Sequence, residues 1–319
     1  MQAAHVTSWG SPPTPSTIAV LPPPSPQQIQ LKILAVGIPP VVRLRAAGQH
    51  PSAAHAPLPY DPSIDGVGLD ESTLSLYYIS PLSAPLLATH ANVARDALVP
   101  LDRATTNPIT VAGLANPVSS SWMALRCRVS GGCQGRTVVI VGATSASGRA
   151  AAVVARALGA ARVIGLSRNE ETLAEVEGLD ERVLLRVPFA MPEGMGPVHV
   201  VLDYVGGAVA AGLLSTAMVA PGEELQYVQV GGLAAHDGEH LLRLLAPGLI
   251  SSKPVCIRGS GMGSFTHEDL RREMPGLMAL IQRMERPFEI VTAPLSEVSS
   301  AWESEEAKSK RLVVVCRSE

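Results

Sequence analysis

The feature that most restricts this chain is a strand, a turn of small residues and an Ala-rich helix in direct succession at its middle. Thr137-Val138-Val139-Ile140-Val141 is a β-branched, apolar run of the kind a parallel strand covered on both faces requires. Gly142, Ala143, Thr144, Ser145, Ala146, Ser147 and Gly148 follow, and each of these side chains is small. The stretch from Gly148 to Leu158 then reads as a helix, with Gly159 placed to cap its C-terminus. A turn so built lets a phosphate approach bare backbone while the helix N-terminus faces the negative charge. An ordinary βα turn that binds nothing meets the same description, so position must add to composition. Here the turn sits inside a unit of about 30 residues, as a dinucleotide fingerprint does. Further short apolar runs follow at Arg162–Leu166, Val198–Leu202 and Tyr227–Val230, separated by helix-length segments. The pattern predicts an α/β domain with a doubly wound parallel sheet of Rossmann type.

The end of the second run addresses the choice of dinucleotide. An NAD site places Asp or Glu about 20 residues beyond the turn, to hold the ribose 2′-hydroxyl. This chain has Ser167-Arg168 there, and no carboxylate before Glu170. A guanidinium can pair with a 2′-phosphate and the serine can donate to it, which predicts NADPH as the cofactor. The alternative is that Arg168 is a solvated turn residue.

Upstream of about residue 110 the character changes. Prolines cluster at Pro22-Pro23-Pro24 and Pro39-Pro40, and half-buried strands are expected at Ile29–Ile33, where apolar and polar residues alternate, and at Leu74–Ile79. Near the other end, Thr266 to Arg283 reads as largely helical with Thr266 as its N-cap and Pro275 as a break or restart, and Arg311–Val315 as a closing strand. The expected division is a β-rich first domain over 1–115, completed by about 261–319, around a nucleotide domain at 116–260.

Several function classes are disfavoured. A formal net charge of −3 offers no basic surface, so nucleic acid is not an expected partner. No apolar run approaches the ~20 residues that cross a bilayer, and Met1 to Gly10 lacks the basic-then-apolar pattern of a secretory signal. Cys127, Cys133, Cys256 and Cys316 are scattered, which reads as reduced thiols in a cytoplasmic protein. No cysteine precedes Cys127, and His5, His50, His55 and His90 stand isolated, so no metal site is expected. None of the tyrosines is followed four residues later by the lysine that a short-chain reductase uses.

The arrangement resembles the medium-chain dehydrogenase/reductases, and within them the zinc-free quinone oxidoreductase and enoyl reductase branch. The matching pieces are Asp65-Gly66-Val67-Gly68, Asn116-Pro117, Ser119 to Leu125, Val139 to Thr144, Leu158-Gly159-Ala160, Leu202 to Gly207, Gly259-Ser260, Ala293 to Val298 and Ala301-Trp302. The resemblance implies a GroES-like fold for the β-rich domain and reduction of a small hydrophobic quinone, enone or enoyl substrate by NADPH. A trans-acting enoyl reductase on a carrier-bound chain, and a non-catalytic NADPH-binding protein, are the alternatives. It implies that Gly142 to Gly148 cradle the pyrophosphate, that Ser167 and Arg168 hold the 2′-phosphate, and that Val205 and Gly206 line the adenosine side. Val230, Gly231 and Gly232 would lie beside the nicotinamide ribose, and Ser260 would begin a segment returning to the cofactor. Ser120, read as opening the interdomain helix, matches a position near the nicotinamide and is the candidate catalytic residue; a plain helix-start serine is the alternative. Relatives of this kind are commonly homodimers paired through the sheet edge, here expected at Lys253 to Gly259. Two departures stand out: Ser145 replaces a common glycine, and no proton donor is apparent around Gly48 to Ser52.

Overall fold

The computed structural model describes residues 1–232, 245 and 247–316. The chain forms two compact units: one contains Met1–Asn116 and resumes at Met274, and the other is Pro117–Glu273.

The first unit is built on a mixed sheet whose spine is the long strand Gln28–Ile38. Its alternating residues bury Leu31 and Ile33 and leave Gln30 and Lys32 half-exposed, as the sequence pattern requires. A register shift between Ile33 and Ala35 lets one strand serve two sets of partners. Its first half pairs with His90–Ala94, and its remainder with Gly66–Asp70 on one side and Arg311–Val315 on the other. Ser75–Ile79 and Leu98–Leu101 extend the sheet beyond Gly66–Asp70, while Ile290–Pro294 closes the far edge in parallel with Arg311–Val315. Leu31, Ile33, Val36, Ile38, Val42, Leu86, Leu87, Leu312 and Val314 make the centre of its core. Pro40 does not interrupt this unit; it occupies the first turn of the helix Pro40–Ala46, where its missing N–H costs nothing.

The second unit is a six-stranded sheet with every pairing parallel. In spatial order its strands are Glu181–Leu184, Arg162–Ser167, Thr137–Val141, Val200–Asp203, Leu225–Gln229 and Val255–Gly259. Numbered within the unit, this is the doubly wound order 3-2-1-4-5-6, whose reversal lies between Thr137–Val141 and Val200–Asp203. Thr137–Val141 is fully buried, which is why its sequence carries no polar alternation.

Two helices run through prolines. The helix Pro108–Met123 contains Pro117 and continues into a π-turn at Ala124–Arg128. Ser120 therefore lies in the last third of that helix and does not open it, because the helix begins at Pro108 and runs on through Pro117. Similarly, His267–Arg283 is continuous through Pro275. The carbonyl of Arg271 loses its amide partner there, but Arg271 and Pro275 are both exposed, so water can satisfy it while Met274, Leu277, Met278 and Ile281 stay buried. Thr266 caps this helix as expected, with its hydroxyl accepting from the Asp269 amide at 3.0 Å.

Candidate functional site

The carboxyl ends of the parallel strands form a rim, and the sheet order places a ligand-binding crevice where the winding reverses. Beyond Val141 the chain turns through Gly142 at φ +87°, a conformation that favours glycine. A Cβ on Gly148 would lie 2.2 Å from the carbonyl oxygen of Gly142 and 2.7 Å from the Cα of Ala143. The start of the helix is thus pressed against the turn more closely than any side chain permits. Ser145 is the N-cap of the helix Ala146–Ala157: its hydroxyl donates to the Gly142 carbonyl at 2.9 Å and accepts from the Gly148 amide at 3.0 Å. The serine that departs from the family's glycine therefore locks the turn, and it occupies one donor that a phosphate could otherwise use.

At the end of the second strand, Ser167 is buried and its hydroxyl pairs with that of Thr144 at 2.8 Å. It ties the strand to the turn and is not directed at solvent. Arg168 is exposed, and no side-chain bond engages it among the described residues. Its guanidinium is available to an anion. Arg149, in the first turn of the helix Ala146–Ala157, is already engaged by the carbonyls of Thr144 and Thr172 and by Glu175, each at 3.3 Å.

The third position on the rim is organised by Asp203, which is fully buried at the end of Val200–Asp203. One carboxylate oxygen accepts from the amides of Val205 at 2.7 Å and Gly206 at 2.9 Å, and the other from the Tyr227 hydroxyl at 2.5 Å. Burial pushes the Asp203 carboxyl up, against the pull of these donors, and burial together with the adjacent carboxylate pushes the Tyr227 phenol up. The carbonyl of Asp203 accepts from Val230 and Gly231, at 2.8 and 3.1 Å, so one residue positions both predicted backbone segments. Gly232 ends the described part of that segment, and Ser260 follows the edge strand with its amide bonded to the Gln229 carbonyl at 2.9 Å. Ser260 is 7% exposed and its hydroxyl has no partner among the described residues, an arrangement that a bound polar group would complete.

Ser120 is placed at this rim but not as a free hydroxyl. It donates to the Pro117 carbonyl at 2.7 Å, and its oxygen lies 3.4 Å from the hydroxyl of Tyr204. Sequence reasoning did not assign roles to Asp203, Tyr204 or Tyr227. Asp203 and Tyr204 lie within a matched stretch, but nothing in their spacing reveals that the carboxylate is buried or which way the phenol extends. Among the described residues, no three His, Cys, Asp or Glu side chains gather as metal ligands would, and no helix is long and apolar enough to cross a membrane.

The site therefore offers what a dinucleotide needs: a cradle at Gly142 and Gly148 too tight for side chains, an unengaged arginine beside the second strand, and an orphaned hydroxyl at Ser260. Comparison with known proteins points the same way. The chain is 54% identical to a probable NADPH-dependent quinone reductase, tdiC, of Emericella nidulans, an alignment covering 99% of this chain and 100% of that protein. Among solved structures it superposes on the quinone oxidoreductase of Thermus thermophilus, also determined with NADPH, with a TM-score of 0.75 and 23% identity over 99% and 100% of the two chains. A mycobacterial quinone oxidoreductase superposes with a TM-score of 0.77 and 18% identity, again over 99% and 100%. No family model matches the chain. With that degree of full-length identity and this fold, the chain belongs to the quinone oxidoreductase branch of the medium-chain dehydrogenase/reductase superfamily.

Proposed function

We propose that this protein is an NADPH-dependent reductase whose acceptor is a hydrophobic quinone, or an enone of similar shape. The observation that carries the reading is the contact at Gly148, where 2.2 Å between a Cβ and the Gly142 carbonyl leaves room only for backbone. Together with the full-length likeness to a probable NADPH-dependent quinone reductase, this supports reading the turn as a diphosphate cradle. When bound, NADPH supplies the hydride, and the protein's task is orientation, exclusion of water and polarisation of the acceptor carbonyl. Amides of the turn and the N-terminus of the helix Ala146–Ala157 hold the diphosphate. Arg168 pairs with the 2′-phosphate, while Val205, Gly206 and the Val230–Gly232 backbone line the path of the dinucleotide. We read the reaction as zinc-independent, since the sequence has no cysteine before Cys127 and its first histidines are isolated.

A fluorescence titration with NADPH and NADH tests the cofactor assignment. Arg168→Ala should weaken NADPH by about 10- to 100-fold, the worth of a charged hydrogen-bonded pair, and leave NADH unchanged. Equal loss for both nucleotides would remove Arg168 from the site, and a wild-type protein that binds no NADPH would end the reductase reading. We also take the protein to be a homodimer joined through the Val255–Gly259 edge strand, which among the described residues has one open side and is mostly half-exposed. Sedimentation should give twice the 33.3 kDa of one chain, and a monomer would discard this assembly.

A further inference from the structure

Reduction by hydride leaves negative charge on the acceptor's oxygen, and without a Lewis acid that charge must be met by a hydrogen-bond donor. The sequence offers Ser120 for this task. The structure commits Ser120's proton elsewhere, to the Pro117 carbonyl at 2.7 Å, so Ser120 can only accept from its neighbour Tyr204. Tyr204 is the first residue beyond Val200–Asp203, and its amide donates to the Val141 carbonyl at 3.1 Å, directly beside the phosphate turn. Its Cβ lies 3.4 Å from where a Cβ on Gly142 would stand. Its carbonyl oxygen and Cα lie 3.1 and 3.4 Å from where one on Gly231 would stand. Tyr204 thus lies in contact range of the Gly142 turn and is packed closely by Gly231, the two backbone segments that the reductase reading assigns to the cofactor.

We infer that Tyr204 is the hydrogen-bond donor to the acceptor oxygen, with Ser120 as the acceptor that aims the phenol until substrate arrives. The inference rests on the reductase reading above. At 3.4 Å the Tyr204–Ser120 contact is long for an O–H···O bond, so an oxyanion at closer range displaces it without losing a strong interaction. Burial pushes the Tyr204 phenol up to about 12, against opposing pulls from Ser120 and Ser121, so it keeps its proton throughout the neutral range. It acts as a donor and is not consumed. The hydride brings two electrons and one hydrogen to the acceptor, the resulting oxyanion is held by the Tyr204 O–H, and a proton from water then completes the reduced product. The sum is acceptor plus NADPH plus a proton giving reduced acceptor plus NADP+.

Tyr204→Phe removes the donor and keeps the ring. NADPH binding by fluorescence should be unchanged, while kcat on a quinone should fall by about 10²- to 10³-fold, as for loss of one oxyanion donor. A readout independent of turnover is 4-nitrophenol bound beside NADP+. Its phenolate absorbance should develop at lower pH in the wild type than in Tyr204→Phe, because the Tyr204 O–H favours the anion. Ser120→Ala should lose less than Tyr204→Phe on both measures. Intact kcat and unshifted nitrophenol ionisation in Tyr204→Phe would overturn the inference, and equal or greater loss in Ser120→Ala would return the role to Ser120. Either result leaves the reductase reading standing as long as wild type binds NADPH; failure of that binding removes both.

Discussion

Each unit of this protein buries a carboxylate beside a tyrosine of an adjacent strand, and the two are completed differently. In the parallel sheet, Asp203 has a donor for each oxygen: two backbone amides on one and the Tyr227 hydroxyl on the other. In the mixed sheet, Asp65 is 1% exposed and receives the Tyr78 hydroxyl at 2.9 Å on one oxygen, while its other oxygen has no partner among the described residues. The Nε of Arg311, also buried, is likewise unpartnered among the described residues. Burial pushes Asp65 up to about 6, with Tyr78 and then Arg311 pulling the other way, and pushes Arg311 down to about 10 despite Asp65. Raw burial is similar at the two sites. What separates them is whether the neighbouring backbone folds around the carboxylate. The loop of Val205 and Gly206 does so, because Gly206 at φ +80° lets two successive amides converge on one oxygen. Asp203 is thereby a scaffold for the rim, whereas Asp65 is a partly compensated charge.

The largest effect should come from removing the scaffold. Asp203→Ala strands the Val205 and Gly206 amides and the Tyr227 hydroxyl, and unsatisfied buried groups cost roughly 1–3 kcal/mol each. Allowing for partial rehydration, urea unfolding should show a loss of about 4 kcal/mol, together with weakened NADPH binding, since Val205, Gly206, Val230 and Gly231 all hang on this residue. A loss below about 1 kcal/mol would mean that the loop is held by packing, and the contrast with Asp65 would fail.

Much of this rim was legible in the sequence, but only where one residue type had one physical cause. Thr137–Val141 and Arg311–Val315 fall where the apolar runs put them, because strands buried along most of their length are mostly apolar. The Gly142–Gly148 turn was legible for the same reason: close backbone contact excludes side chains. Glu181–Leu184 was not singled out, since it is a four-residue edge strand whose Glu181 and Arg182 give no apolar run. Ser120 was read as opening its helix and Pro275 as a break or restart, yet Pro117 and Pro275 are both helix-interior, because whether a freed carbonyl finds another partner depends on exposure that a linear sequence does not display. Side-chain networks were the least legible. Ser120 was picked for its position, while Tyr204, 84 residues away, could be matched to it only once the strands were side by side.

The smaller and more diagnostic effect belongs to Asp65, through pH. Its folded-state pKa of about 6 lies above the ordinary 3.8, so the folded protein holds this proton more tightly than the unfolded chain does. The contribution to stability is therefore full below pH 4 and is lost as pH rises to about 6. The difference between the two values corresponds to about 3 kcal/mol in all. Asp65→Asn cannot titrate. The stability difference between variant and wild type should move by about 3 kcal/mol in favour of the variant between pH 4 and 7, then stay level. The absolute offset includes the cost of leaving Arg311 without its negative neighbour, but that guanidinium remains charged across this window and cannot mimic the slope. Asp203→Asn offers the sharper contrast: its carboxylate is also pushed up by burial, yet three donors oppose the shift. Urea midpoints at half-unit pH steps would show the difference. A flat profile for Asp65→Asn against wild type would mean that water or Arg311 completes the second oxygen in solution, and the two carboxylates would then be alike.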